Sequence, residues 1–320
     1  MTQQPFPTAA GIAAAARQID PVFLASPLFE HPGANAALGL RLFAKVESLN
    51  PIRSFKGRGT DWWMAHQPAS NQPVVSASAG NFGQGLAYAC ARRGRPLMLF
   101  SSTRANPVKL EAMRRLGAEV RQAGEDFDAA KAAARAFADA SGLIFLEDGN
   151  DRLIAEGAGT IAMEIEQTLT GRNIGLDAMF IPLGNGALLT GMGTWLKAAL
   201  PGCRVIGVVA ENAPAMKLSW ESGRIISTES AVTAADGIAV REPVPYALAC
   251  MASTVDEVLA VSEAQIRAAM TFSLAHFGQL SEAAGAAGLA AVMAHAAGRF
   301  AGKTVATVLC GSSVPEAPAV

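Results

Sequence analysis

Short apolar runs alternating with helix-length stretches constrain this chain more than any other feature. Residues 42–46, 74–77, 97–100, 119–121, 144–146, 178–183, 204–209 and 304–309 read as buried strands. Helical patterns such as 127–141 and 153–170 lie between them. Strands covered on both faces appear as continuous hydrophobic runs, and their alternation with helices argues an α/β fold with mainly parallel sheets. In such folds ligands bind beyond the carboxyl ends of the strands, so the turns that follow strands become the places to search. The block 47–148 carries its own strand–helix series. It reads as a small domain inserted into a larger one formed by 1–46 and 149–320.

Composition narrows the function. Half the 320 residues are hydrophobic (51%), only 17% are charged and the formal net charge is −1. Such a chain can bury a large core and has no electrostatic reason to seek nucleic acid or an anionic membrane. No uninterrupted apolar stretch has the length of a membrane span. The alanine-rich segment 9–16 lacks a basic leader and runs directly into Arg17, Gln18 and Asp20, so a short amphipathic helix is expected there rather than a signal peptide. Cys90, Cys203, Cys250 and Cys310 are scattered, with neither metal-site nor disulfide spacing, which fits a reducing cytoplasm. His31, His66, His276 and His295 form no metal motif. The tail after Ser313 reads as frayed.

Five local features carry chemistry. Lys56 sits in Ser54-Phe55-Lys56-Gly57-Arg58-Gly59. A lysine beside a phenylalanine and followed by two glycines is poorly placed for surface duty. If desolvated, it loses part of its preference for the charged form, and its amine can attack an aldehyde; a lysine snorkelling at a helix start is the plainer alternative. Ser76 to Gly85 joins a strand to a helix expected at 86–92. Its small residues let backbone approach a ligand, and N–H groups at a helix start favour a carboxylate, although an ordinary turn would look similar. Pro182-Leu183-Gly184-Asn185-Gly186-Ala187-Leu188 is a third strand-to-helix turn whose amides could cradle a dianion. It matches neither a phosphate-binding Gly-Lys-Ser/Thr loop nor Gly-x-Gly-x-x-Gly, since Leu189 stands at the third glycine position. The last strand ends in Cys310-Gly311-Ser312-Ser313, where Cys310 could equally be a core thiol. Asp236-Gly237 alone indicates a turn.

In this order, the features resemble the serine/threonine dehydratase group of fold-type-II pyridoxal-phosphate enzymes, which includes threonine deaminase, serine dehydratase and serine racemase. The likeness runs from Ser26-Pro27-Leu28, similar to the group's Thr-Pro-Leu, to the Cys310 strand. Ser-Phe-Lys-x-Arg-Gly is its most specific part. The resemblance implies a two-domain, tryptophan synthase β-like fold, each domain an open, mainly parallel twisted sheet flanked by helices. It implies pyridoxal 5'-phosphate as cofactor, with Lys56 as the Schiff-base lysine and Phe55 beside the ring. Gly184, Asn185, Gly186, Ala187 and Leu188 would hold the phosphate, Gly237 would line the cofactor cavity, and Cys310 would face the pyridine nitrogen. Ser78, Ala79, Gly80 and Asn81 would hold the substrate carboxylate, with Asn81 also near the cofactor's phenolic oxygen. The implied reaction is β-elimination from a 3-hydroxy amino acid such as L-threonine or L-serine, giving a 2-oxo acid and ammonia. A cytoplasmic homodimer is implied as well.

Several positions depart from the group's pattern. The group's run of four glycines is Gly184-Asn185-Gly186-Ala187 here, and Phe82 stands where many relatives carry histidine. Ala79 stands where racemases place a proton-carrying serine, which argues against racemisation. Glu211 fits one cation ligand of the metal-binding relatives, but Lys217 stands at the other, so no divalent metal site is expected. No effector domain follows Ser313, so isoleucine feedback is not expected. Arg53 and Arg241 lie near the motifs and could pair with a second substrate carboxylate, as in a 3-hydroxyaspartate; solvated surface arginines are the alternative. A phenylserine-type substrate stays open. Three other functions compete: β-replacement or threonine synthase chemistry, a non-catalytic pyridoxal-phosphate-binding regulatory protein, and a nucleotide-binding α/β protein.

Overall fold

The computed structural model describes residues 5–312. The elements in chain order are α1 (Ala9–Ala15), β1 (Leu28–Glu30), α2 (Pro32–Leu38), β2 (Arg41–Val46), α3 (Lys56–Ala65), β3 (Val74–Ala77), α4 (Asn81–Arg92) and β4 (Leu97–Ser101). Then come α5 (Pro107–Arg115), β5 (Glu119–Gln122), α6 (Phe127–Ser141), β6 (Ile144–Leu146), α7 (Arg152–Thr170), β7 (Ala178–Pro182), α8 (Ala187–Ala199) and β8 (Arg204–Ala210). The chain closes with α9 (Ala215–Ser222), α10 (Pro245–Thr254), β9 (Glu257–Val261), α11 (Glu263–Phe277), α12 (Ala283–His295) and β10 (Thr304–Leu309). A 3-10 turn at Asp236–Ile238 lies between α9 and α10.

Two sheets form. The larger has the order β1-β2-β10-β7-β8-β9, and the smaller β5-β4-β3-β6. Every pairing is parallel except β1 with β2. The smaller sheet is built wholly from the block 47–148, while the larger draws strands from both sides of it. The central strands are covered throughout, as their unbroken apolar sequences require: β3, β7 and β10 have no exposed residue. The larger sheet packs apolar clusters on its two faces. Phe180, Ile206 and Leu289 belong to one; Met179, Val205 and Leu189 belong to the other.

Helix ends follow local chemistry. Asp126 accepts the Ala129 N–H at the start of α6, and Gly142 closes that helix in the left-handed region. Ser262 and Gln265 form a reciprocal capping box on α11.

The strand readings hold, and two strands escaped them. β1 is a three-residue antiparallel edge, too short to show a period. β9 was visible in principle as Glu257-Val258-Leu259-Ala260-Val261. Helix α4 starts at Asn81, five residues before the expected 86, because Gly83 and Gly85 masked a helix that packs closely on α3. The expectations for Ser313 and the tail beyond it lie outside the described residues. Among the described residues no helix is long and apolar enough to cross a membrane.

Candidate active site

A cleft of about 350 Å³ lies where the carboxyl ends of strands from both sheets converge. Phe55 and Lys56 enter it after β2, residues 78–82 after β3, Asp148 after β6, the turn 182–188 after β7, and Cys310 after β10. Residues 236–242 and Glu282 complete the wall. Every residue named from sequence for the cofactor and the carboxylate therefore lines one cavity.

Lys56 is the first residue of α3. Its Nζ lies 2.6 Å from Asp148 Oδ2, 4.9 Å from the centre of the Phe55 ring and 5.6 Å from that of Phe82. The amine thus lies near two aromatic rings, of which the sequence indicated only Phe55. Desolvation alone, however, is the wrong picture, because the amine is ion-paired with a carboxylate the sequence reading did not single out. Asp148 also receives Asn185 Nδ2 at 3.5 Å, and its buried Oδ1 has no partner.

The turn after β7 ends at α8, whose N-cap, Gly186, adopts φ +97° without a side-chain cap. The backbone amides of Gly184, Asn185, Gly186, Ala187 and Leu188 have no hydrogen-bond partner among the described residues. They add to the positive end of α8 as a cup for an anion. The two departures from four glycines are accommodated, because only Gly186 needs the left-handed region while Asn185 and Ala187 do not. A Cβ on Gly186 would lie 2.5 Å from Ala247 Cβ. Gly149, at φ +82°, sits so close behind that a Cβ there would fall 2.3 Å from the Asn185 carbonyl oxygen. The turn bearing Asp148 is thus locked against this cup.

At the start of α4, the Ser78 hydroxyl accepts N–H bonds from Gly80 (3.2 Å) and Gly83 (2.9 Å). Its side chain ties the turn together. The amides of Ala79, Asn81 and Phe82 have no partner among the described residues. Asn81 donates through Nδ2 to Glu282 Oε1 at 2.7 Å, while its buried Oδ1 has no partner. The Cys310 thiol is buried, and its pKa is pushed well above the ordinary value by desolvation, then by Glu282 and Glu47, against Lys56. It is a neutral group at the cleft floor.

A buried ion cluster sets the start of α3. Arg58 is fully buried; its Nε and Nη2 donate to Glu47 at 2.8 Å each, and Nη1 donates to Glu164 at 2.6 Å and to Thr160 at 2.9 Å. Lys45 adds a 2.6 Å bond to Glu164. Burial works against the charge on Arg58, but the two glutamates outweigh it and the net shift is upward. Likewise burial raises Glu164, but Arg58 and Lys45 outweigh it and hold the carboxyl below its usual range.

Two ion pairs link elements of the inserted block to the far wall of the cleft. Lys109 on α5 pairs with Asp236, and Arg241 pairs with Asp128 on α6 at 2.6 Å. Arg241 therefore lines the cavity already partnered, and Arg53 lies on an exposed turn outside it. Glu211 is exposed, and Lys217 pairs with Glu221. No group of three or more His, Cys, Asp or Glu is placed to hold a metal ion among the described residues. Asp148, Glu282 and Lys109 were missed from sequence, and Asp236 was read only as part of a turn. Of the three missed, only Asp148 offered a signal, standing in a polar turn directly after a strand.

This geometry, an amine between two unpaired amide nests, fits an aldehyde cofactor bearing a phosphate. The comparisons agree. The family model for pyridoxal-phosphate dependent enzymes matches residues 19–311. L-threonine ammonia-lyase of Geobacter sulfurreducens is 36% identical over 279 residues, 87% of this chain and 68% of that protein. The protein of the same name from Thermotoga maritima is 36% identical over 278 residues, 86% and 68% of the two chains. The crystal structure of a T.th. threonine deaminase superposes with a TM-score of 0.91 at 31% identity, covering 98% of this chain and all of that one. Maize serine racemase, at 22% identity and a TM-score of 0.90 over 98% and 95% of the chains, adds likeness of fold. The chain belongs to the pyridoxal-phosphate dependent enzyme family and, within it, to the serine/threonine dehydratase group. Its cofactor is pyridoxal 5'-phosphate, and it is an ammonia-lyase of fold type II.

Proposed function

We propose that this enzyme eliminates water from L-threonine or L-serine, releasing a 2-oxo acid and ammonia. The observation that carries the reading is the position of Lys56 Nζ, in one cleft with the unpaired amides at the starts of α4 and α8. When bound, pyridoxal phosphate supplies an aldehyde and a ring that spreads the charge developing at the substrate Cα. The chain supplies the rest. Amides of residues 184–188 would hold the phosphate at the positive end of α8. Phe55, Gly237 and Cys310 line the same cleft and would border the ring, with Cys310 supplying a neutral thiol there. Amides of Ala79, Asn81 and Phe82 receive the substrate carboxylate, with Ser78 and Gly80 shaping their turn. Asn81 lines the cleft with an unpartnered oxygen that would be available to the cofactor or substrate. Lys56 holds the cofactor and, once released, removes the proton from Cα.

Charge in the cleft favours a hydroxy amino acid over a 3-hydroxyaspartate. Among the described residues, the cations lining the cleft besides Lys56, namely Arg241, Lys109 and Lys131, all face carboxylates of the chain, so none is left over for a second substrate carboxylate. The reading carries with it a division into a small domain, 47–148, and a large one from the remainder. It also carries a cytoplasmic homodimer, consistent with four free, buried cysteines.

The test is a 2-oxo acid assay across 3-hydroxy amino acids, both diastereomers of each. Pyruvate from serine or 2-oxobutyrate from threonine, with no added nucleophile, is expected. A strict requirement for sulfide or O-acetylserine would reject the reading in favour of β-replacement. Light scattering in solution tests the dimer.

A further inference from the structure

We propose that Asp148 is a catalytic residue that carries the proton from Lys56 to the departing β-hydroxyl group. This rests on the β-elimination reading above. The starting observation is an accounting of the carboxylates facing the cleft. Asp236 is held by Lys109, Asp128 and Glu242 by Arg241, and Glu282 by Asn81. Asp148 alone has as its principal partner the amine that the reaction withdraws, Lys56 at 2.6 Å. Once that nitrogen is bonded to the cofactor, Oδ2 keeps only Asn185 Nδ2 at 3.5 Å, and Oδ1 is already buried without a partner. With 13% of its side chain exposed, the carboxylate has little water to fall back on. It needs a donor within the cleft, and the hydroxyl of a 3-hydroxy amino acid is one.

Position supports the role. The backbone of the turn carrying Asp148 is held against the 184–188 loop at Gly149, which keeps the carboxylate at this end of the cleft. The amine that takes the Cα proton and the carboxylate that would pass it on are already in hydrogen-bond contact. The step balances. Lys56 Nζ takes the Cα proton, and an N–H proton passes from Nζ to Oδ2. The carboxyl then gives its proton to the β-oxygen as the Cβ–O bond breaks with its electron pair on oxygen. Water leaves, and both side chains regain their starting protonation.

Asp148→Asn and Asp148→Ala test this through leaving groups of different need. Hydroxide must be protonated to leave, whereas chloride need not. In Asp148→Asn, turnover of serine should fall by roughly 10²–10⁴-fold, the usual worth of a positioned acid, while elimination from β-chloroalanine should stay within about tenfold of the parent. A second readout involves no turnover. Neither 2-methylserine nor 2-aminoisobutyrate has a Cα proton, and their binding can be titrated by cofactor absorbance. The parent should prefer 2-methylserine by roughly tenfold or more, as expected for a hydroxyl bonded to a carboxylate, and Asp148→Ala should lose that preference. Equal loss on serine and β-chloroalanine, or unchanged serine turnover, would overturn the proposal, as would equal binding of the two analogues by the parent. If the parent eliminates from no substrate at all, the functional reading fails, and the binding comparison still decides whether Asp148 faces the hydroxyl.

Discussion

Replacing Arg58 by methionine should unsettle the active site without touching it. Methionine fills much of the same volume but leaves Glu47, which is fully buried, and Glu164 without their shared cation. Breaking a buried pair by removing one partner costs about 3–5 kcal/mol, chiefly because the remaining charge has no water to return to. Entropy of unfolding runs near 2.1 cal/mol/K per residue, so for 320 residues that loss lowers Tm by about 4–7 °C. The damage should also reach Lys56, two residues earlier on the first turn of α3. Scanning calorimetry of the holoenzyme measures the first effect, and titration of the apoprotein with pyridoxal phosphate the second. Adding Glu47→Gln to Arg58→Met should recover part of the lost Tm, since it removes one stranded charge while keeping a hydrogen-bonding side chain. An Arg58→Met protein melting within about 1 °C of the parent, or a double variant less stable than the single, would refute the argument that paired burial of charge sets this corner.

Three further outcomes follow from the geometry. Lys56→Ala should abolish the visible band of the lysine-bound cofactor, read directly by absorbance of the reconstituted protein. Gly186→Ala should weaken cofactor binding by at least about tenfold, since φ +97° and the Ala247 methyl both oppose a side chain there, whereas Ala187→Gly should bind nearly as the parent does. Stability should fall in acid: Glu164, whose folded pKa lies below its ordinary 4.5, contributes stability that is full above about pH 4.5 and disappears as pH drops through the lower folded value. Denaturant midpoints at pH 6 and pH 3.5 measure this, and Glu164→Gln should shrink the difference.

What could be read from sequence was whatever chemistry is local. Ser-Phe-Lys-Gly-Arg-Gly, the turn at 78–81 and the loop at 184–188 each announce themselves within a few residues, because a strand, a tight turn and a helix start are neighbours in the chain. The parallel sheets were equally legible, since strands covered on both faces cannot disguise their apolar runs. The partners of these groups were not. Asp148 reaches Lys56 across 92 residues, and Glu282 reaches Asn81 across 201. Each arrives from the end of another strand or the start of another helix, and nothing in the local sequence tells an acid facing a cleft from one facing solvent. The same blindness explains Arg58, whose neighbouring glycines marked the motif while its two glutamates lay elsewhere.

The charges of this protein fall into two sets with different work. Arg58, Lys45 and Glu47 are buried beside the half-buried Glu164 among α3, α7 and the end of β2, where full pairing fixes the backbone from which Lys56 projects. Around the cleft the pairs are partly exposed and join elements far apart in the chain, Lys109 to Asp236 and Arg241 to Asp128. Exposed pairs of that kind contribute little stability and are weakened by salt, so they can part to admit a substrate at small cost. Lys56–Asp148 belongs to neither set. It is nearly sealed, yet it must break for the enzyme to hold its cofactor. A strong pair in such a place is a cost to cofactor binding unless the freed carboxylate finds other employment, and that is the physical reason to look for its partner on the substrate.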